Sequence, residues 1–203
     1  METKQALNLI VRHARPMILQ SFRPESCIVS TAIACDVLSF LDVPVIPMVV
    51  QVGIYNPKLT ERIKASWMPD EATAIKWRNE DGCYGVSLGF VDTPPNPENP
   101  KPWPGHLVAI SPTFLMDLSI DQAARQQHSI FLEPFWVPWS EETTFQRFIT
   151  GKDCVLSMDN GTSLVYTARP TDRSFMKSPD WNQFERRSDI VADLLRLMKR
   201  AEL

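Results

Sequence analysis

Residues 26–55 read SCIVSTAIACDVLSFLDVPVIPMVVQVGIY, and their reading decides the architecture. Over residues 27–41 the chain runs fifteen positions without Gly or Pro, a length that favours a helix over a strand. Val29, Thr31, Ile33 and Val37 are β-branched and lower the helix propensity. Ser26 supplies an N-cap and Pro24 a stop just before it. Apolar side chains lie on nearly every side of this segment, so the helix is expected in the middle of the domain rather than on its surface. Residues 45–55, rich in β-branched side chains and bounded by Pro44 and Asn56-Pro57, read as the first strand.

Upstream of this stretch, Leu7, Ile10, Ala14 and Ile18 share one helical face over residues 3–20. Pro16 is expected to end or kink that helix near Arg15, giving one helix or two short ones. Downstream, residues 58–68 read as a surface helix and residues 83–91 as a second strand. Residues 93–105, TPPNPENPKPWPG, carry six prolines and read as a stiff loop unable to form a ladder. HLVAI (106–110) and TFLMDL (113–118) follow as two short strands around Ser111-Pro112. Further strand-like pieces lie near residues 135–137, 154–158 and 163–168, with the hairpin signal Asn160-Gly161 between the last two. Residues 181–202 close the chain as an amphipathic helix with Phe184, Val191, Leu194, Leu195 and Met198 on its apolar face. Helices first, then antiparallel strands, then a helix make the expected class α+β. The absence of repeats and of a linker makes residues 1–203 one expected domain.

Composition narrows the function. The chain has 203 residues, 44% of them hydrophobic and 22% charged, which excludes disorder or a rod as a description of the whole. A net charge of −3 offers no basic excess for a phosphate backbone, so no nucleic-acid partner is expected. Seventeen prolines against seven glycines point to stiff connecting segments. The four cysteines, Cys27, Cys35, Cys83 and Cys154, lack CxxC spacing and read as free thiols in a reducing compartment. The opening METKQALNLIVRHARP reads as a charged amphipathic stretch rather than a signal peptide. No apolar run approaches the roughly 20 residues that span a bilayer. A cytoplasmic protein with no membrane partner is expected. No nucleotide-loop or metal-ligand pattern occurs, so no cofactor and no metal are expected.

Cys27 is the most informative side chain, because it opens the buried helix directly after its cap. There the helix dipole and unpaired N–H groups favour an anion, which promotes the thiolate, and the same N–H groups suit an oxyanion. The alternative is a small buried hydrophobe. A thiolate nucleophile needs a proton carrier, and the chain offers His13, His106 and His128. His13 on the opening helix and His128 in a polar segment have ordinary surface readings. His106 begins a strand, and Asp117 lies near the end of the next. Paired as neighbours, these strands would let the carboxylate fix the imidazole tautomer. An ordinary structural pairing of the two is the alternative.

Together, SCIVSTAIACDVLSFLDVPV, the strand opening GHLVAI, and the acid in FLMDLSIDQ resemble the Cys-His-Asp core of transglutaminase-like proteins within the papain-like superfamily, in the same chain order. The likeness covers about residues 20–125. It implies a Cys-bearing helix packed on an antiparallel sheet and a thioacyl mechanism in which Cys27 attacks an amide or thioester. His106 would carry the proton and Asp117 would orient it. Hydrolysis and acyl transfer both remain open, with a peptide, protein or small acyl compound as substrate. Gln20, seven residues before Cys27, matches the oxyanion glutamine of papain-like proteases, against the reading of a solvated helix end. Asn56 and Gln122 are polar cleft candidates near strand ends, and Trp103 is placed to shield the imidazole. Phe131, Phe135, Trp136 and Trp139 read as packing rather than a groove. A catalytically silent domain that binds proteins through the same cleft is the alternative function. The oligomeric state is left open.

Overall fold

The computed structural model describes residues 2–66, 70–89 and 105–201. Helix α1, Thr3–Ser21, runs through Pro16 instead of ending before it. Pro16 and Arg12 both face solvent, so the carbonyl that Pro16 leaves without an N–H donor lies on the water side. Helix α2, Cys27–Phe40, is buried continuously over residues 27–34. It ends at Asp42, whose φ of 55° places it in the left-handed region. The Val43 N–H then reaches the Leu38 carbonyl at 3.0 Å and the Asp42 N–H reaches Ser39 at 3.1 Å, the closure that satisfies a helix's last carbonyls.

Strand β1, Ile46–Tyr55, is the spine of a curled antiparallel sheet. Helix α3, Pro57–Ser66, follows it, then α4, Glu71–Lys76, continued by a π-helical turn over Trp77–Asp81 that the sequence did not signal. The remaining strands are β2, Gly85–Leu88, β3, His106–Ile110, β4, Phe114–Asp117, β5, Phe135–Pro138, β6, Asp153–Ser157, and β7, Ser163–Ala168. Their order is β5-β4-β3-β1-β7-β6, with β2 beside β1. One edge of β1 is shared: Ile46 to Val50 pair with β3, and Val52 to Tyr55 pair with β2. The expected strand over residues 83–91 shortens to β2, and the part of it beyond Gly89 lies outside the described residues, as do Trp67, Met68 and residues 93–104 of the proline-rich segment.

Strand alternation gives the sheet two apolar faces. Val50, Val52, Ile54, Val108, Ile110, Leu115 and Tyr166 pack with Phe148 of helix α5, Glu142–Phe148. Ala109, Phe114 and Met116 face α1, α2 and the last helix. That last helix is shorter than expected. Residues 179–182 form a separate short helix, α6 (Pro179–Asn182), and α7 spans Ser188–Ala201. Arg187 explains the break: its buried guanidinium pairs with Asp36 on α2 at 2.7 Å and donates to the Asp180 and Trp181 carbonyls at 3.3 and 3.0 Å. Those bonds hold α6 against α2 and pull the chain out of line with α7. No helix among the described residues is long and apolar enough to cross a membrane.

Candidate active site

Three chain segments deliver the side chains singled out by the sequence. Cys27 is the first residue of α2, His106 the first of β3 and Asp117 the last of β4. The Thr31 hydroxyl donates to the Leu107 carbonyl at 2.8 Å, which ties the opening of α2 to the strand that carries His106. In the β3–β4 ladder Ala109 lies opposite Met116. Continuing that register sets Asp117 opposite Val108, on the same face as His106 and diagonal to it, a spacing that an imidazole bridges.

The bridge is short and dry. His106 Nε2 lies 2.7 Å from Asp117 Oδ2, with the two side chains 1% and 0% exposed. The Tyr166 hydroxyl, arriving from β7 on the far side of β1, donates to the same Oδ2 at 2.9 Å, and the Ser119 N–H donates to Oδ1 at 3.1 Å. Three donors therefore fix the carboxylate's orientation. Burial by itself pulls the imidazole pKa down. The charge and hydrogen bond of Asp117, helped by a hydrogen bond and charge from the Cys27 sulfur, outweigh burial and push it up to about 10. Burial, then the charge and hydrogen bond of Asp117, push the Tyr166 phenol well above its ordinary value, so it stays a donor.

With Nε2 committed to Asp117, chemistry is left to Nδ1. The Gln122 amide nitrogen sits 3.1 Å from it. An amide can present either end, donating to a bare Nδ1 or accepting from a protonated one. The Cys27 thiol, 5% exposed, donates to the Gly105 carbonyl at 3.7 Å, one residue from His106. A cleft of about 390 Å³ opens beside Cys27, with Glu25 and Ile28 on one side and Lys177, Pro179 and Asp180 on the other. The other thiols differ in setting: burial and the neighbouring Asp36 charge push Cys35 up to about 12, and burial raises Cys154.

No protein-family model, curated protein or solved structure matches the chain.

The remaining sequence candidates fall in different places. Gln122 joins the cluster. Gln20 is exposed on the last turn of α1 and is not among the hydrogen-bond partners of Cys27, His106 or Asp117. Asn56 stands just before α3 with its amide fully used: its nitrogen donates to the Gly82 and His128 carbonyls, both at 3.0 Å, and its oxygen accepts from the Leu59 and Tyr84 N–H groups at 3.0 and 3.1 Å. It lies six residues along β1 from Val50, the partner of His106, about 20 Å away at strand rise, and serves the turn rather than the cleft. Trp103 lies outside the described residues. His128 stacks on Tyr84 at 3.7 Å, away from the cluster. Trp139 packs on Phe145 and Phe148 and donates to the Ser111 carbonyl at 2.7 Å, which makes it part of the core. Among the described residues no group of His, Cys, Asp and Glu is arranged to hold a metal ion.

Sequence reasoning missed Tyr166, Arg15 and the segment around Lys177. Tyr166 had one local signal, an inward-facing phenol between apolar strand residues, which demands a buried acceptor. The other two arise from contacts between distant parts of the chain.

Proposed function

We propose that this chain is a cysteine-nucleophile acyl-group enzyme with a papain-like, transglutaminase-like core, using Cys27, His106 and Asp117 through a thioacyl intermediate. The observation that carries the reading is the buried His106–Asp117 bridge of 2.7 Å, with Cys27 held against the backbone of Gly105 one residue before His106 and a cleft opening beside its sulfur. A buried imidazole held positive by a carboxylate is a standing cation next to a sulfur, the environment that favours a thiolate.

In this mechanism Cys27 reacts as the thiolate partner of the His106 imidazolium, its proton already on Nδ1, and an S–C bond forms as the sulfur attacks the substrate carbonyl carbon. The carbonyl oxygen takes up the electron pair at the N-terminus of α2, where N–H groups lack intrahelical acceptors. The carbonyl re-forms, the bond to the leaving amine or thiol breaks, and the imidazolium returns its proton to that group. Water or an amine then attacks the thioester, losing its proton to His106, and the S–C bond breaks to release Cys27 as the thiolate of the restored ion pair. Asp117 keeps Nε2 protonated throughout, which leaves Nδ1 as the exchanging nitrogen. The cleft mixes polar side chains, among them Ser26, Lys177 and Asp180, with apolar surface at Ile28 and Pro179, a lining that suits a peptide-like or other amphipathic acyl group.

The test is acylation by p-nitrophenyl acetate, followed by release of nitrophenolate and by peptide mapping of the acetyl group. The expected result is an acetyl thioester on Cys27, absent in Cys27→Ala and formed slowly in His106→Ala. Acetylation spread over all exposed nucleophiles, or indifferent to His106, would turn the reading toward a silent domain that binds partners through the cleft.

A further inference from the structure

Arg15 is an unexpected buried cation. It sits on α1 with 4% exposure, and its guanidinium reaches three acceptors in two other segments. Nε lies 2.9 Å from the Asp121 carboxylate, Nη2 donates to the Pro24 carbonyl at 2.7 Å, and Nη1 donates to the Ser26 hydroxyl at 3.3 Å. Asp121 is the neighbour of Gln122, and Ser26 is the neighbour of Cys27. One side chain thus spans the two halves of the site.

The Ser26 contact matters most. A serine in this position ordinarily turns its oxygen onto an N–H group of the first helical turn. Ser26 does not: its φ and ψ are −100° and 45°, and it makes no side-chain cap to α2. Its carbonyl accepts the first intrahelical bond, from the Ser30 N–H at 2.9 Å, while its hydroxyl is engaged by Arg15. The residue best suited to cover the N–H groups beside Cys27 is held away from them.

Building on the acyl-transfer reading above, we propose that Arg15 is a positioning residue that keeps the Ser26 hydroxyl off the start of α2. The N–H groups there remain open to the oxygen of an acyl substrate. Without Arg15 the Ser26 backbone is released to the extended conformation of a capping serine, and its hydroxyl then turns onto the helix and competes with the substrate oxygen. A lysine, with one compact ammonium, cannot reproduce a fork that serves three acceptors.

Two reagents separate this role from simple structural support. p-Nitrophenyl acetate acylates Cys27 through a tetrahedral oxyanion, with loss of nitrophenolate, whereas iodoacetamide alkylates the same sulfur with loss of iodide and forms no oxyanion. In the full-length protein, Arg15→Met is expected to slow acetylation of Cys27 by about 10²-fold, the scale of losing one oxyanion donor, while alkylation changes by less than about threefold. Adding Ser26→Ala to Arg15→Met removes the competing hydroxyl and is expected to bring acetylation back to within about tenfold of wild type. Should Arg15→Met fail to fold, Arg15→Lys and its Ser26→Ala double variant take its place with the same pattern expected. Wild-type acetylation in the Arg15 variant overturns the proposal. So does parallel slowing of both reagents with no recovery from Ser26→Ala, which would leave Arg15 a purely structural residue. Failure of the acyl-transfer reading shows separately, as a wild-type Cys27 that neither reagent modifies in a His106-dependent way, and this proposal then falls with it.

Discussion

Replacing Asp117 by Asn tests the electrostatics of the site while keeping its shape. In the wild type the carboxylate outweighs burial and lifts His106 from an ordinary 6.5 to about 10. An amide at the same position removes the negative charge and leaves burial, which lowers the value, as the dominant influence. The imidazole midpoint should therefore fall from near 10 to 6.5 or below. At about 1.4 kcal/mol per tenfold change, that drop corresponds to roughly 5 kcal/mol of lost preference for the imidazolium. The assay is a pH titration of the ring nitrogens by NMR on protein labelled with ¹⁵N-histidine, with His13 and His128 as references in the same spectra. Stability should follow. A folded-state value above the unfolded one stabilises the protein fully below pH 6.5, and this contribution is lost as pH rises through about 10. The urea midpoint of the wild type should accordingly decline across that window more steeply than that of Asp117→Asn. A wild-type His106 titrating near 6.5, or one unmoved by Asp117→Asn, refutes the reasoning.

Other substitutions probe the supports. Tyr166→Phe removes the 2.9 Å bond to Asp117 and should cost about 1.5–3 kcal/mol in urea unfolding, the range for a hydrogen bond to a charged group. A change below a few tenths would mean the hydroxyl is not bonded as described. Thr31→Val strips the donor from the Leu107 carbonyl, and a loss of about 1–3 kcal/mol is expected, read by the same unfolding curve. Gly89 has φ +75°, and a Cβ there would lie 2.3 Å from the Val50 carbonyl oxygen and 3.1 Å from the His106 nitrogen. Gly89→Ala should therefore destabilise the fold by more than about 1 kcal/mol and shift the His106 ring resonances; an unperturbed spectrum would contradict the placement of this turn.

The parts of the fold that sequence reading reached are those written in local pattern. An uninterrupted apolar run marked the place of α2, short apolar runs marked β3 and β4, and the Asn160-Gly161 turn signal marked β6 and β7 on either side of it. The pairing of His106 with Asp117 was readable because strand start and strand end are local features, and neighbouring strands leave few arrangements. Tyr166 was not readable in this way, since its reach to Asp117 depends on β7 lying across β1, a pairing of strands more than a hundred residues apart in sequence. Arg15 looked like a charge at a proline-broken helix end. Its burial follows from α1 continuing through Pro16 and from the loop at Pro24 folding back over it. The break between α6 and α7 likewise came from a distant partner, Asp36, drawing Arg187 inward. Gln20 and Asn56 show the opposite error: a polar residue near a strand or helix end suits a cleft and a turn equally well, and only the hydrogen-bond partners separate the two.

The most direct measurement is the rate at which iodoacetamide modifies Cys27 at neutral pH, in wild type and in His106→Ala, with Cys35 and Cys154 as internal references resolved by mass spectrometry. The account predicts a Cys27 at least about tenfold faster than Cys35 or Cys154, with that advantage lost when the imidazole is removed. A Cys27 as slow as Cys35, or as fast without His106 as with it, would contradict the claim that these side chains form a working nucleophile and proton carrier.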